Sequence, residues 1–240
     1  SSAGLARATE GGGSEGGRCP PPRKMLKVEG LRVSIKGFLI LRGVTLEIPS
    51  GGLVGLVGRN GAGKTTTIKG LLGLVSPTGG SVALDGTDLM KVPGHKRAKL
   101  GIGYMPEDRR LVGALSVEDN ILMPAWATRR ADGRQRLQYI YEIMPDVPPL
   151  AKRRASTLSG GQQKMVALAR AVMTSTKLLL LDEPFEGLSP AAGEKFARTI
   201  QTLQREGLAA LIAESDDKRL SFVNRIYTIE RGEIVESAGA

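Results

Sequence analysis

The sequence predicts an α/β fold in which a mainly parallel sheet is covered by helices. Three observations lead there. Strand-like and helix-like stretches alternate along most of the 240 residues. An apolar run over 53–57 leads into a glycine-rich loop and then a stretch of helical character over 64–72. A further run, Leu178, Leu179, Leu180 and Leu181, is apolar at every position, as a strand buried on both faces must be, and it ends in Asp182 and Glu183.

The elements follow in order. Residues 26–33 and 44–48 alternate apolar and polar side chains, the period of strands with one buried face. Residues 81–84 read as a strand closed by the Asp85-Gly86 turn, and 102–105 as another short strand. Residues 134–144 place Leu137, Ile140, Tyr141 and Met144 on one helical face. Residues 162–173 place Met165, Ala169 and Val172 on a core-facing stripe. A helix over 195–206 and strands over 208–213 and 225–229 complete the set, with His95 expected in a loop behind Pro93-Gly94. Residues 1–24, broken by glycines and by Pro20, Pro21 and Pro22, are expected to be a flexible, processed or vector-derived tail.

Apolar residues make up 41% and charged residues 24%, the balance of an ordinary globular protein, expected to be soluble and cytoplasmic. No apolar run approaches the roughly 20 residues of a spanning helix. A single cysteine, Cys19, and a single histidine, His95, exclude an internal disulfide and a multi-histidine metal site. The net charge of +10 leaves phosphates, an anionic membrane surface or nucleic acid as partners.

Gly58-Arg59-Asn60-Gly61-Ala62-Gly63-Lys64-Thr65 has the spacing of a phosphate-binding loop, with a strand before it and a helix after it. Its glycines let successive backbone N–H groups turn toward phosphate oxygens, and the helix start adds its positive dipole end. Lys64 is then placed to reach the β- and γ-phosphates, and the Thr65 hydroxyl to ligate Mg²⁺. Asp182, at the strand tip, is the second candidate for Mg²⁺, and Glu183 the candidate general base for an attacking water. Ser159, a natural helix cap, with Gly160 and Gly161 before the helix, makes a second anion-binding device. Two such devices on one nucleotide within a monomer are redundant. A head-to-tail dimer, each chain's second device closing the other's first, uses both.

These motifs in this order resemble the nucleotide-binding subunit of an ABC transporter, from residue 25 to about 237. The resemblance implies a P-loop NTPase fold with an N-terminal antiparallel β subdomain and a helical subdomain inserted at about 107–155. It implies ATP and Mg²⁺ as cofactors, with Gly58 to Thr66 around the phosphates and Ser159, Gly160, Gly161 and Gln162 contacting the ATP of a second ATPase subunit. It further implies integral-membrane permease partners, a solute-binding protein acting indirectly, and a position on the cytoplasmic face of the membrane, with no nucleic acid. Trp126 falls in the helical subdomain, a place for packing or for the membrane partner. Pro106-Glu107-Asp108-Arg109-Arg110, Tyr141-Glu142-Ile143-Met144-Pro145 and Gly187-Leu188-Ser189-Pro190 are similar to the ATPases of branched-chain amino acid importers, with pieces shared by lipid exporters.

Four positions depart from the family pattern. Ile35 stands where an aromatic residue stacks on adenine, with Phe38 as a substitute nearby. Glu107 replaces the glutamine at Mg²⁺, Ser189 an aspartate, and Ser215 the histidine that faces the γ-phosphate. The expectation is slow hydrolysis. The alternatives are a weakly active or inactive subunit in a heterodimer, a lipid-export ATPase, or a soluble relative acting on DNA or ribosomes, for which the length leaves no second cassette.

Overall fold

The computed structural model describes residues 24–239, so Cys19 and the tail expected over 1–24 lie, but for Lys24, outside the described residues. β1 (Lys24–Ile35) and β2 (Phe38–Pro49) pair as an antiparallel hairpin. The chain then passes through β3 (Leu53–Val57) and the glycine-rich loop into α1 (Lys64–Leu72). β4 (Gly79–Leu84) returns to pair with β1, and the Asp85-Gly86 turn leads into β5 (Thr87–Asp88). These four strands form one antiparallel sheet in the order β2-β1-β4-β5. The single helical turn α2 (Gly94–Arg97) carries His95, where a loop was expected.

Beyond it come β6 (Ile102–Met105), α3 (Val117–Thr128), α4 (Gly133–Ile143), α5 (Gly160–Val172), β7 (Leu178–Asp182), α6 (Pro190–Arg205), β8 (Ala209–Glu214), β9 (Arg225–Glu230) and β10 (Glu233–Gly239). The second sheet runs β10-β9-β3-β8-β7-β6 and is parallel except for β10 at its edge. Among the described residues no helix is long and apolar enough to cross a membrane.

The all-apolar strands are explained by a sheet covered on both faces. Leu178 and Leu180 of β7, with Leu211 of β8, pack in one core with β1, β2 and α1. Leu179 and Leu181, with Ile212, point the other way, into a core shared with α3 to α6. Alternation along a strand puts successive side chains on opposite faces, so both sets must be apolar. The parallel order lines up the C-terminal tips of β3 and β7 beside each other's loops, with β8 between them.

Three further elements differ from the sequence reading. α6 starts at Pro190, five residues before the expected start, because Ser189 caps it by accepting from the Ala192 N–H and Pro190 sits at the first helical position. α3 was not anticipated: Pro124 interrupts its pattern, yet Ser116 caps it and Glu118 and Asp119 occupy its first turn. β10 was missed because its side chains are mostly exposed and polar; it forms by edge pairing to β9.

Arg97 stands beside Lys96 in a basic pair, yet it is buried. Its guanidinium donates to the carbonyls of Gly70 and Leu71 at the end of α1, and to those of Leu89 and Val92. It supplies a donor to the Leu71 and Val92 carbonyls and a second one to those of Gly70 and Leu89, which also accept from the Gly73 and Val92 N–H groups. Arg97→Leu keeps the aliphatic bulk and strands the Leu71 and Val92 acceptors, so we expect a loss of about 2–3 kcal/mol in a denaturant titration. A midpoint within error of the wild type would remove this role.

Candidate functional site

The glycine-rich loop connects the tip of β3 to α1, and two of its glycines are required sterically. A Cβ on Gly58 would lie 2.3 Å from the Ile229 carbonyl oxygen. Gly63, at the N-cap of α1, has φ 117°, a conformation that favours glycine. Asn60, Gly61, Gly63, Lys64, Thr65 and Thr66 line a cleft of about 670 Å³. Arg59 is exposed on the outer side, and Gly58 and Ala62 are buried behind the loop. Ile40, Glu107, Glu183, Glu186, Glu214, Ser215 and Arg219 complete most of the cleft wall.

Lys64 is almost fully buried. Its ammonium donates to the Gly58 carbonyl at 2.6 Å and pairs with Glu183 Oε1 at 3.1 Å. The Ser215 hydroxyl lies 2.6 Å from the same Glu183 oxygen, 3.0 Å from Asn60 Oδ1 and 3.5 Å from Lys64 Nζ. Burial opposes the charge on Glu183, but hydrogen bonds from Ser215, Glu214 and Lys64 hold its carboxyl below the usual range. Glu214 behaves oppositely. Burial pushes it up to about 8, against the Phe185 N–H that it accepts at 2.8 Å, and Glu183 adds to the rise. The pair is split into an ionised Glu183 and a protonated Glu214.

Thr65 Oγ1 donates to Asp182 Oδ1 at 3.1 Å. Burial pushes the Asp182 carboxyl up to about 6, against the Thr65 bond, with Glu107 and Glu183 adding repulsion. Among the described residues no group of three or more His, Cys, Asp or Glu forms a metal site. The donors present are a hydroxyl and carboxylates on one side of a phosphate-sized cleft. That suits Mg²⁺, which keeps waters and takes its remaining ligands from phosphates, and it answers the repulsion at Asp182.

Other expected site residues lie outside this cleft. Ile35 and Phe38 face each other across the tip of the β1–β2 hairpin, Phe38 is 74% exposed, and neither lines the cleft. The apolar side chain on that wall is Ile40, because the register of β2 carries it back toward the loop. Gln162 is turned into its own helix: its side-chain oxygen accepts from the Ser159 N–H at 3.0 Å while the Ser159 hydroxyl accepts from the Gln162 N–H at 3.3 Å. Ser159, Gly161 and Gln162 border a different cavity, of about 480 Å³, beside Leu188 and Lys195, and Gly160 sits between them at the start of α5. Ser189 is spent on capping α6 and Trp126 is 56% exposed on α3.

Sequence reasoning missed two residues of the site. Lys164 is 1% exposed and donates to the Glu183 carbonyl at 2.8 Å. Glu214, at the tip of β8, was passed over beside Ser215. The signal available for both was a charged residue inside an otherwise apolar segment.

Residues 41–186 match the family model described as ABC transporter. The chain is 36% identical over 196 residues to the high-affinity branched-chain amino acid transport ATP-binding protein BraG of Pseudomonas aeruginosa, covering 81% of this chain and 84% of that protein. It is 34% identical over 213 residues to the lipopolysaccharide export system ATP-binding protein LptB of Escherichia coli strain K12, covering 88% of each. Among solved structures it resembles the dimeric post-hydrolysis state of the ATP-binding cassette MJ0796 bound to ADP and Pi, with a TM-score of 0.80, 25% identity, and coverage of 90% of this chain and 98% of that one. A phosphate loop whose lysine is paired to a buried strand-tip glutamate, on this sheet order and with these relatives, identifies the chain as a member of the ABC transporter family, an ATP-hydrolysing subunit.

Proposed function

We propose that the chain drives amino acid uptake of the branched-chain type, coupling ATP-driven closure of a head-to-tail dimer to separate membrane permease subunits. The cassette spans 25–237, with the helical part at about 107–155. One observation carries the dimer: Ser159 and Gly161 border a cavity separate from the Lys64 cleft, so the two anion devices serve one ATP only across a pair of chains. The likeness to the MJ0796 cassette, solved as a dimer with ADP and Pi, supports a pair of chains.

Within the cleft, the backbone of Gly58 to Thr66 cradles the phosphates and Lys64 neutralises the β- and γ-oxygens. Thr65 and Asp182, with Glu107 nearby, would hold Mg²⁺, which supplies charge neutralisation on the phosphates. Phosphate competes with Glu183 for the Lys64 ammonium. Arrival of ATP therefore releases the carboxylate that takes the proton of the attacking water. Ser215 offers the γ-phosphate a neutral hydroxyl in place of a charged partner, so turnover is slow. Ile40 packs on the nucleotide side of the cleft without an aromatic stack.

The uptake reading is supported by the likeness to BraG and by the segments at 106–110 and 141–145. The comparable likeness to LptB favours lipid export as a second reading. The exposed Trp126 and the groove of about 690 Å³ formed by Leu74, His95, Lys99, Tyr104 and Pro124 make a surface for the membrane subunit at the cytoplasmic face. Purifying the tagged chain from detergent-solubilised native membranes and identifying its membrane partner decides between the readings. A permease that carries amino acids supports uptake, and a lipid-exporting partner overturns it.

A further inference from the structure

Lys164 has no part in the phosphate chemistry described above, yet it is the most completely buried ammonium near it, at 1% exposure. It lies on α5, five residues after the Ser159 cap. Its Nζ donates to the main-chain carbonyl of Glu183 at 2.8 Å. A methionine fills similar space at no desolvation cost, so an ammonium here requires a specific bond to offset its burial. Burial lowers the Lys164 pKa, and the nearby Glu186 carboxylate acts against that.

The bond falls on an unusual residue. Glu183 has φ 46°, a conformation that side chains with a Cβ rarely adopt and that persists only where the surroundings over-determine it. Several hydrogen bonds hold the turn, among them one from the Glu186 N–H to the Glu183 carbonyl at 3.3 Å within the turn itself, and three reach it from packed elements. The Glu183 N–H donates to the Ala213 carbonyl at 2.9 Å, the Phe185 N–H donates to Glu214 at 2.8 Å, and Lys164 takes the Glu183 carbonyl. The first two come from β8. Lys164 alone comes from the helix that begins at Ser159.

We propose that Lys164 is a positioning residue for ATP hydrolysis: it fixes the Glu183 backbone so that the carboxylate faces the cleft, and it ties that turn to the helix carrying Ser159 and Gly161. Displacement of the start of α5, where the partner chain's ATP binds, is carried along five residues of rigid helix to the Glu183 carbonyl. The inference rests on the reading of Glu183 as the general base.

The test is steady-state ATP hydrolysis by the full chain carrying Lys164→Met, Lys164→Gln or Glu183→Gln, with ADP affinity and thermal midpoints measured alongside. A misplaced base costs rate without costing ground-state binding. Lys164→Met is expected to lower kcat roughly ten- to hundredfold. KM for ATP and the ADP Kd should stay within about twofold. Lys164→Gln, which keeps a donor for the carbonyl, recovers part of the rate. Wild-type kcat in Lys164→Met, a parallel loss of kcat and ADP affinity, or no recovery in Lys164→Gln overturns the proposal. If Lys164→Met does not fold, Lys164→Gln decides: a lowered kcat with unchanged ADP affinity supports the role, and an unchanged kcat overturns it. Wild-type turnover in Glu183→Gln instead overturns the reading of the base, whatever Lys164 does.

Discussion

Glu183→Gln is expected to abolish measurable ATP turnover while leaving nucleotide binding and ATP-induced dimerisation intact. The amide keeps the size of the carboxylate and its hydrogen bond from the Ser215 N–H, which spans 3.2 Å in the structure. It cannot take a proton from water, and a general base contributes roughly 10²–10⁴ in rate. A second effect reinforces the first. Glu183 pairs with Lys64 at 3.1 Å, so phosphates must displace the carboxylate before the ammonium can serve them. Removing the negative charge removes that competition, and ATP is expected to bind at least as tightly as in the wild type. Size-exclusion chromatography with ATP and Mg²⁺ should show the variant accumulating as a dimer. Turnover at the wild-type rate would dismiss Glu183 as the base.

Lys64→Met is expected to lose both ATP binding and stability. The ammonium is the cation aimed at the phosphates, and loss of one preorganised donor at a developing charge costs roughly 10²–10³ in rate. The stability effect arises inside the chain. Lys64 and Glu183 are 5% and 11% exposed, so the substitution leaves a buried carboxylate without its cation and a Gly58 carbonyl without its donor. Breaking such a pair by removing one member costs about 3–5 kcal/mol when the other stays charged. Combining the two substitutions separates the effects. In the double variant Glu183→Gln with Lys64→Met the stability loss should shrink, because no buried charge remains unpaired, while ATP binding stays lost. Urea midpoints on the four proteins provide the measurement. Equal midpoints for Lys64→Met and the wild type would show that the pair contributes nothing to stability.

Much of the cleft was legible in the sequence because its chemistry is local. The loop from Gly58 to Thr65 needs its glycines at fixed offsets, and β3 and α1 begin and end where the apolar run and the helical stretch do. Leu178 to Leu181 could only be a strand covered on both faces, and its position before Asp182 puts acids at the sheet's ligand-binding edge. Ser159 was readable as a cap because capping is a matter of three or four consecutive residues. The same rule, overlooked at Ser189-Pro190, would have started α6 correctly.

What was not legible depended on distance along the chain. The hairpin's register, which local pattern does not give, brings Ile40 to the cleft wall. Nothing local marks Arg97 as buried; the approach of α1 supplies the Gly70 and Leu71 carbonyls that its guanidinium meets.

The sequence by itself determined the fold class, the phosphate loop and the order of the motifs, since each follows from periodicity or fixed spacing within a few residues. The tertiary structure alone decided how Glu183 is held. Its partners come from three places in the chain: Lys64 from α1, Lys164 from α5, and Glu214 with Ser215 from the end of β8. Burial and through-space charge, which depend on all of them at once, leave Glu183 ionised and Glu214 protonated.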